Sequence, residues 1–96
     1  MRTVEDKELL IETLKENECL IATGFDGALI GITEGMNPVA VYDYWECINC
    51  LVRQDGMLWE EACEFMQFNV VSAFVGDKTP IYIRDFRDYE FELPSQ

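Results

Sequence analysis

The chain has 96 residues, 19 Asp and Glu against seven Lys and Arg, no histidine, and a formal net charge of −12. That balance excludes several activities: no imidazole is present for acid–base work or metal ligation near neutral pH, and so negative a surface repels nucleic-acid phosphates and anionic membranes. Hydrophobic residues make up 49% of the chain, enough for one small core.

In chain order, the apolar period predicts an amphipathic helix over residues 3–17. Thr3 N-caps it with Asp6 three residues on. Val4, Leu10, Ile11 and Leu14 fall on one side, and Glu5, Glu8, Glu12 and Glu16 lie elsewhere. Glu8, Glu12 and Glu16 repel one another at i, i+4, by about 0.2–0.5 kcal/mol per pair, which Lys7 and Lys15 partly offset. A short apolar run at 19–22 precedes the turn residues Gly24-Phe25-Asp26-Gly27. Strand-like segments at 28–33 and 39–42, joined by Glu34-Gly35-Met36-Asn37-Pro38, predict a hairpin.

Asp43, with Glu46 three residues later, opens a helix to about residue 54, and Gly56 suits the left-handed position that ends it. A second helix is predicted over 58–74. Its apolar stripe is Trp59, Ala62, Cys63, Met66, Val70, Ala73 and Phe74, with Glu60, Glu61 and Glu64 in the first two turns, where the helix dipole favours acids. Gly76-Asp77-Lys78-Thr79-Pro80 breaks the pattern, and Ile81-Tyr82-Ile83 is a third strand. The expectation is an α+β fold in the order α-β-β-α-α-β. Its helices pack on a small, mainly antiparallel sheet, as a single domain over 1–96. The aromatics Tyr42, Tyr44, Trp45, Trp59, Phe65, Phe68 and Phe74 sit at helix or strand periods and read mostly as core.

Several strings in the chain carry a family resemblance: Pro38-Val39-Ala40-Val41-Tyr42-Asp43-Tyr44, Arg53-Gln54-Asp55-Gly56-Met57, Glu60-Glu61-Ala62, Phe68-Asn69-Val70-Val71 and Gly76-Asp77-Lys78-Thr79-Pro80-Ile81. Together they resemble a family of small proteins encoded in bacteriophage genomes, mostly without an assigned function, over residues 26–83. The resemblance implies a phage or mobile-element source and a shared fold, and no reaction. Where similar proteins place Thr or Ser two residues after the glycine, this chain has Leu58, a poorer N-cap.

The acids gather in three places: Glu8, Glu12 and Glu16 on the first helix, Glu60, Glu61 and Glu64 at the start of the last, and the tail, where Asp88, Tyr89, Glu90 and Phe91 alternate acid with aromatic. These are the candidate partner-binding residues. Opposite charge speeds encounter with a basic surface and can occupy one built for phosphates. The expected function is therefore non-catalytic: binding of a host protein with a basic surface, with DNA-mimic-like inhibition of a nucleic-acid-binding or defence enzyme as one mechanism. No cofactor, metal, direct nucleic-acid contact or membrane contact is expected. A homo-oligomer stays open, because the tail offers an edge for strand pairing. The polar start Met1-Arg2-Thr3-Val4-Glu5-Asp6-Lys7 is unlike a signal peptide, so a cytoplasmic setting with reduced cysteines is expected.

A second class of function is nucleotide or metabolite sequestration through Asn69, Tyr82, Arg84 and Arg87. Asn69 either faces a pocket between helix and sheet or bridges to a carbonyl near residues 24–27, the commoner fate of a buried amide. Arg84, Arg87 and Lys78 form the only local basic cluster, but Asp85, Asp88, Glu90 and Glu92 interleave with it and favour local ion pairs. A third class is a metalloprotein using carboxylates or thiols. Cys47-Ile48-Asn49-Cys50 could donate two ligands, with Cys19 and Cys63 as the other thiols. It lies within a helical apolar pattern without a second CxxC, so small buried side chains are the favoured reading. Gly24-Phe25-Asp26-Gly27 lacks the Lys-Ser/Thr of a phosphate loop and reads as a turn. With only Ser72 and Ser95 as serines, nucleophiles are few.

Overall fold

The computed structural model describes residues 4–87, with side chains from residue 7 onward. Three α-helices and three strands follow one another as α1 (Val4–Glu16), β1 (Leu29–Ile32), β2 (Ala40–Asp43), α2 (Tyr44–Asp55), α3 (Trp59–Phe65) and β3 (Ile81–Ile83). The α+β class and the element order match the expectation. The sheet runs β1-β2-β3.

β1 and β2 form the expected antiparallel hairpin, with Leu29 opposite Tyr42, Ile32 opposite Ala40, and a bulge between Leu29 and Gly31. Thr33 closes the connection twice: its N–H donates to Val39 O and its hydroxyl accepts from Val39 N–H, both at 2.9 Å. β3 joins β2 in parallel, with Val41, Tyr42 and Asp43 opposite Ile81, Tyr82 and Ile83. The sheet is therefore mixed rather than mainly antiparallel. α2 and α3 intervene between β2 and β3, and a crossover of that length permits the parallel return that a short turn forbids.

α2 has the ends its residues predict. Asp43 Oδ1 accepts from the N–H groups of Trp45 (3.0 Å) and Glu46 (3.3 Å), which satisfies two of the orphan donors of the first turn. At the other end Gly56 takes φ +68°, the left-handed conformation that ends a helix, and its N–H and that of Met57 both reach back to Leu51 O. α3 starts at Trp59 although Leu58 carries no capping oxygen. The Glu61 carboxylate supplies half of a capping box instead, accepting from Leu58 N–H at 2.9 Å.

The predicted helix over 58–74 stops short. α3 changes at Met66 into a π-helical segment, Met66–Val71, and Ala73 and Phe74 lie beyond it. The Ser72 hydroxyl donates to Phe68 O, and Ala73 N–H closes a tight turn on Val70 O. These bonds satisfy carbonyls left open where the helix ends. The wider i→i+5 turn also moves the side chains after Met66 off the α-helical stripe.

The core lies between α1, α2 and the sheet. Leu14, Tyr42, Cys47 and Ile48 are fully buried, and Phe25, Leu29, Tyr44 and Leu51 nearly so. Burying an aliphatic side chain of this size stabilises the fold by roughly 1.5–3 kcal/mol. Polar links pin the periphery. Lys7 Nζ donates to Leu29 O (2.7 Å), Asn37 Nδ2 to Asp77 O (2.7 Å) and Lys78 Nζ to Pro38 O (3.0 Å). The last two hold the hairpin loop against the turn that leads into β3.

Candidate functional site

A cleft of about 440 Å³ opens between the π segment, the loop at residues 20–25 and β3. One wall is Leu20, Ile21 and Ala22. The other is Asn69, Val70, Ala73 and Val75, with Thr79, Pro80 and Tyr82 closing the end. The sheet sets the position of Tyr82: it pairs with Tyr42, and the two rings stack with centroids 5.6 Å apart. Tyr42 in turn holds the far wall, its hydroxyl accepting from Ala22 N–H at 2.8 Å. The lining is mainly apolar with few polar groups, the usual character of a binding cleft, and the volume falls within the roughly 300–1,000 Å³ of such sites.

The polar groups of the lining differ in what they can still do. The Thr79 hydroxyl is used locally, accepting from Val75 N–H (2.9 Å) and donating to Gly76 O (2.6 Å). The Asn69 side chain is exposed and makes no hydrogen bond among the described residues, so it does not bridge to the 24–27 turn. It is the pocket-facing amide of the two alternatives. Burial pushes the Tyr82 phenol up to about 12, with smaller contributions from Cys47 and Tyr42. It is therefore a neutral hydroxyl, not a phenolate, at physiological pH.

Around the cleft, apolar side chains stand in solvent. Phe68 and Phe74 are each 78% exposed and Val75 62%, with Trp59 and Phe65 also on the exposed side. The expectation that these aromatics are core holds for Tyr42 and Tyr44 and fails for Trp59, Phe65, Phe68 and Phe74. Nothing within the described chain packs over this face of α3 and the π segment. Asn69 joins the cleft to a second depression lined by Met57, Glu61, Glu64, Phe65 and Phe68. Apolar ground and two carboxylates therefore meet there.

The sequence-predicted site residues are distributed unevenly. Glu8, Glu12 and Glu16 are exposed on α1, and Glu60, Glu61 and Glu64 are exposed on α3. α1 packs on β1 whereas α3 packs on α2, so the two acidic runs ride on separate elements. Asp88, Tyr89, Glu90 and Phe91 lie outside the described residues, as does Thr3. Of the ligand-binding alternative, Asn69 and Tyr82 come together in the cleft, and Arg84 and Arg87 do not line it. The predicted basic cluster is dispersed. Lys78 is bound to Pro38 O, and Arg87 pairs with Asp85 at 2.7 Å, holding that carboxyl below its usual range. Phe86 packs edge-on against Trp45, with centroids 5.8 Å apart. The buried Trp45 Nε1 has no acceptor among the described residues.

Cys47 and Cys50 are buried on α2, as their helical pattern suggests, and Cys19 and Cys63 are half-buried. All four are free thiols. Burial pushes the Cys47 thiol up to about 12, with Cys50, Asp43 and Glu46 adding to the effect, so it stays protonated and a poor nucleophile. Among the described residues, no three of His, Cys, Asp and Glu gather as metal ligands. No described helix is long and apolar enough to cross a membrane.

Sequence reasoning missed Leu20, Ile21 and Val75, which line the cleft. The available signal was positional: Leu20-Ile21 and Val75 sit next to turns, outside any predicted periodic element that would bury them. Compared with protein-family models, with curated proteins and with solved structures, the chain matches none.

Proposed function

We propose that the protein acts without catalysis, by binding a partner protein that carries a basic surface, and that the cleft region is where it binds. The observation that carries this reading is the apolar face around the π segment. Phe68, Phe74 and Val75 are largely in solvent, and Leu20, Ile21 and Phe65, which line the two adjoining depressions, are exposed with them. Uncovered patches of this kind, rimmed by polar residues, mark interaction surfaces. The net charge of −12 supplies the second element, since it draws a basic partner and repels acidic ones.

The acids of α1 and α3 sit on separate elements, which favours charge as a steering force rather than as a continuous imitation of nucleic acid. The resemblance to phage-encoded proteins adds a host protein as the partner class. The test is capture from a bacterial lysate on the immobilised chain at low and high salt. Basic proteins are expected to dominate and to be released steeply as salt rises. Capture without charge preference, or unaffected by salt, overturns the reading.

A second reading, sequestration of a small ligand, draws support from the meeting of Asn69 and Tyr82. With Arg84 and Arg87 outside the lining, no cation among the described residues meets a phosphate there, so the ligand class is an uncharged compound rather than a nucleotide. A thermal midpoint raised by nucleosides and not by the matching nucleotides supports it. A midpoint unmoved by every uncharged compound tested removes it.

A further inference from the structure

We infer that the cleft and the adjoining depression form one continuous seat for a short peptide segment of the partner, with an apolar side chain in the cleft and a Lys or Arg a few residues away against Glu61 and Glu64. This inference rests on the binding function proposed above and adds the place and chemistry of recognition. Three observations carry it. The cleft is apolar on both walls, with Leu20 and Ile21 facing Val70, Ala73 and Val75. The neighbouring depression adjoins the cleft at Asn69, which lines both, and it differs in character by adding Glu61 and Glu64 beside Phe65 and Phe68. Between the two, the Asn69 amide makes no hydrogen bond within the described chain, and it offers both a donor and an acceptor to a passing backbone.

Charge decides among the occupants. A second copy of this chain would itself carry a net charge of −12 and its own Glu61 and Glu64, and like charges brought together oppose association. An anionic ligand meets Glu61 and Glu64 and finds no cation in the lining among the described residues. A segment with an apolar anchor and a nearby basic side chain satisfies both parts of the surface. Its apolar residue is buried at the centre while the ion pairs form at the rim, where they set orientation and encounter rate more than affinity.

The test sorts a display library of random short peptides on the immobilised full chain, then titrates the enriched sequences as synthetic peptides against variants. The expected consensus has a large apolar residue with Lys or Arg within a few positions. Val75→Asp removes apolar seat while adding negative charge, and should weaken binding by about tenfold or more, a loss typical of truncating a central contact. Asn69→Leu keeps the bulk and loses the amide, and should weaken it by about fivefold, the scale of one hydrogen bond. Glu64→Lys, whose side chain makes no bond within the described fold, should weaken binding and flatten its salt dependence. Glu61→Gln keeps the acceptor that caps α3 and should have a smaller effect of the same sign. Replacing Glu8, Glu12 and Glu16 by Lys should change the affinity by less than about twofold, as expected for charges outside the contact.

Enriched peptides that are acidic or wholly apolar, or no enrichment at all, overturn the inference. Basic peptides that respond to the α1 replacements and not to Val75→Asp overturn the location while leaving the basic-partner function standing. Sedimentation of the native chain supplies a further check. A monomer is expected, and a dimer split by Val75→Asp assigns the seat to a second copy and overturns the inference.

Discussion

The two ends of the α2–α3 region differ in one respect. Around α2, Cys47, Ile48 and Leu51 pack with Tyr42 of β2, with almost no surface left open. Around the π segment, Phe65, Phe68, Phe74 and Val75 form ground equally apolar in composition that is mostly in solvent. Apolar content alone does not separate a core from a docking face; what separates them is whether another element of the same chain comes over the top. β2, the turn at residues 26–28 and α3 cover α2, and no described element covers the outer face of the π segment.

The contrast is broken or sharpened first by truncation. Ile48→Ala should destabilise the fold by roughly 2–5 kcal/mol, as for aliphatic truncation in a closed core. Phe68→Ala should stay within about 0.5 kcal/mol, as for surface positions. Urea denaturation measures both, and comparable losses would show that the π-segment face is core. The next largest effect is at the helix starts. Asp43→Ala removes the acceptor for two backbone N–H groups and should cost roughly 0.5–2 kcal/mol. Leu58→Ser installs an acceptor where Glu61 now works alone, and should gain up to about 1 kcal/mol. A loss on Leu58→Ser would mean that the exposed Leu58 is packing on something.

The buried side also has an alkaline signature. The unfolded Cys47 thiol ionises near 9.0 and the folded one only at about 12. The unfolded chain therefore releases the proton first, so the contribution of this neutral thiol is complete below about pH 8.5 and is lost as pH rises toward 12. Tyr82, shifted from 10.0 to about 12, acts in the same direction. Stability should therefore be flat through neutral pH and decline above about pH 9, less steeply in Cys47→Ala; an equal decline in that variant contradicts the assignment. The gentlest probe leaves stability alone. Brief alkylation of the native chain near pH 8 should label Cys19 and Cys63 well before Cys47 and Cys50, read by mass spectrometry. Rapid labelling of Cys47 would mean that the covered half opens readily.

Much of the frame was legible locally. Asp43 and Gly56 bound α2 through bonds made within a few residues, and the loop at 33–39 is short enough to force an antiparallel pair. β3 was recognisable as a strand, but its direction was set by two intervening helices, which no local pattern records. The end of α3 was obscured for a similar reason. Residues 58–74 keep a helical apolar spacing, yet the turn widens at Met66 and the chain leaves after Val71. Asn69 stood out as a polar residue in an apolar run, and its place in the cleft fits one of the two roles its position suggested. Arg84 and Arg87 read as a local basic cluster at the end of β3, whereas Arg87 turns to Asp85. Leu20 and Ile21 line the cleft beside Ala22, whose N–H is held by the Tyr42 hydroxyl from a strand twenty residues on.

The most direct test of a built but uncovered docking face is the affinity of the selected basic peptide for Val75→Asp relative to the native chain, with the thermal midpoint of each protein recorded alongside. Binding weakened about tenfold or more, at a midpoint within a few degrees of the native one, is the predicted result. Binding that is unchanged or tightened, as an added negative charge alone would produce, contradicts it.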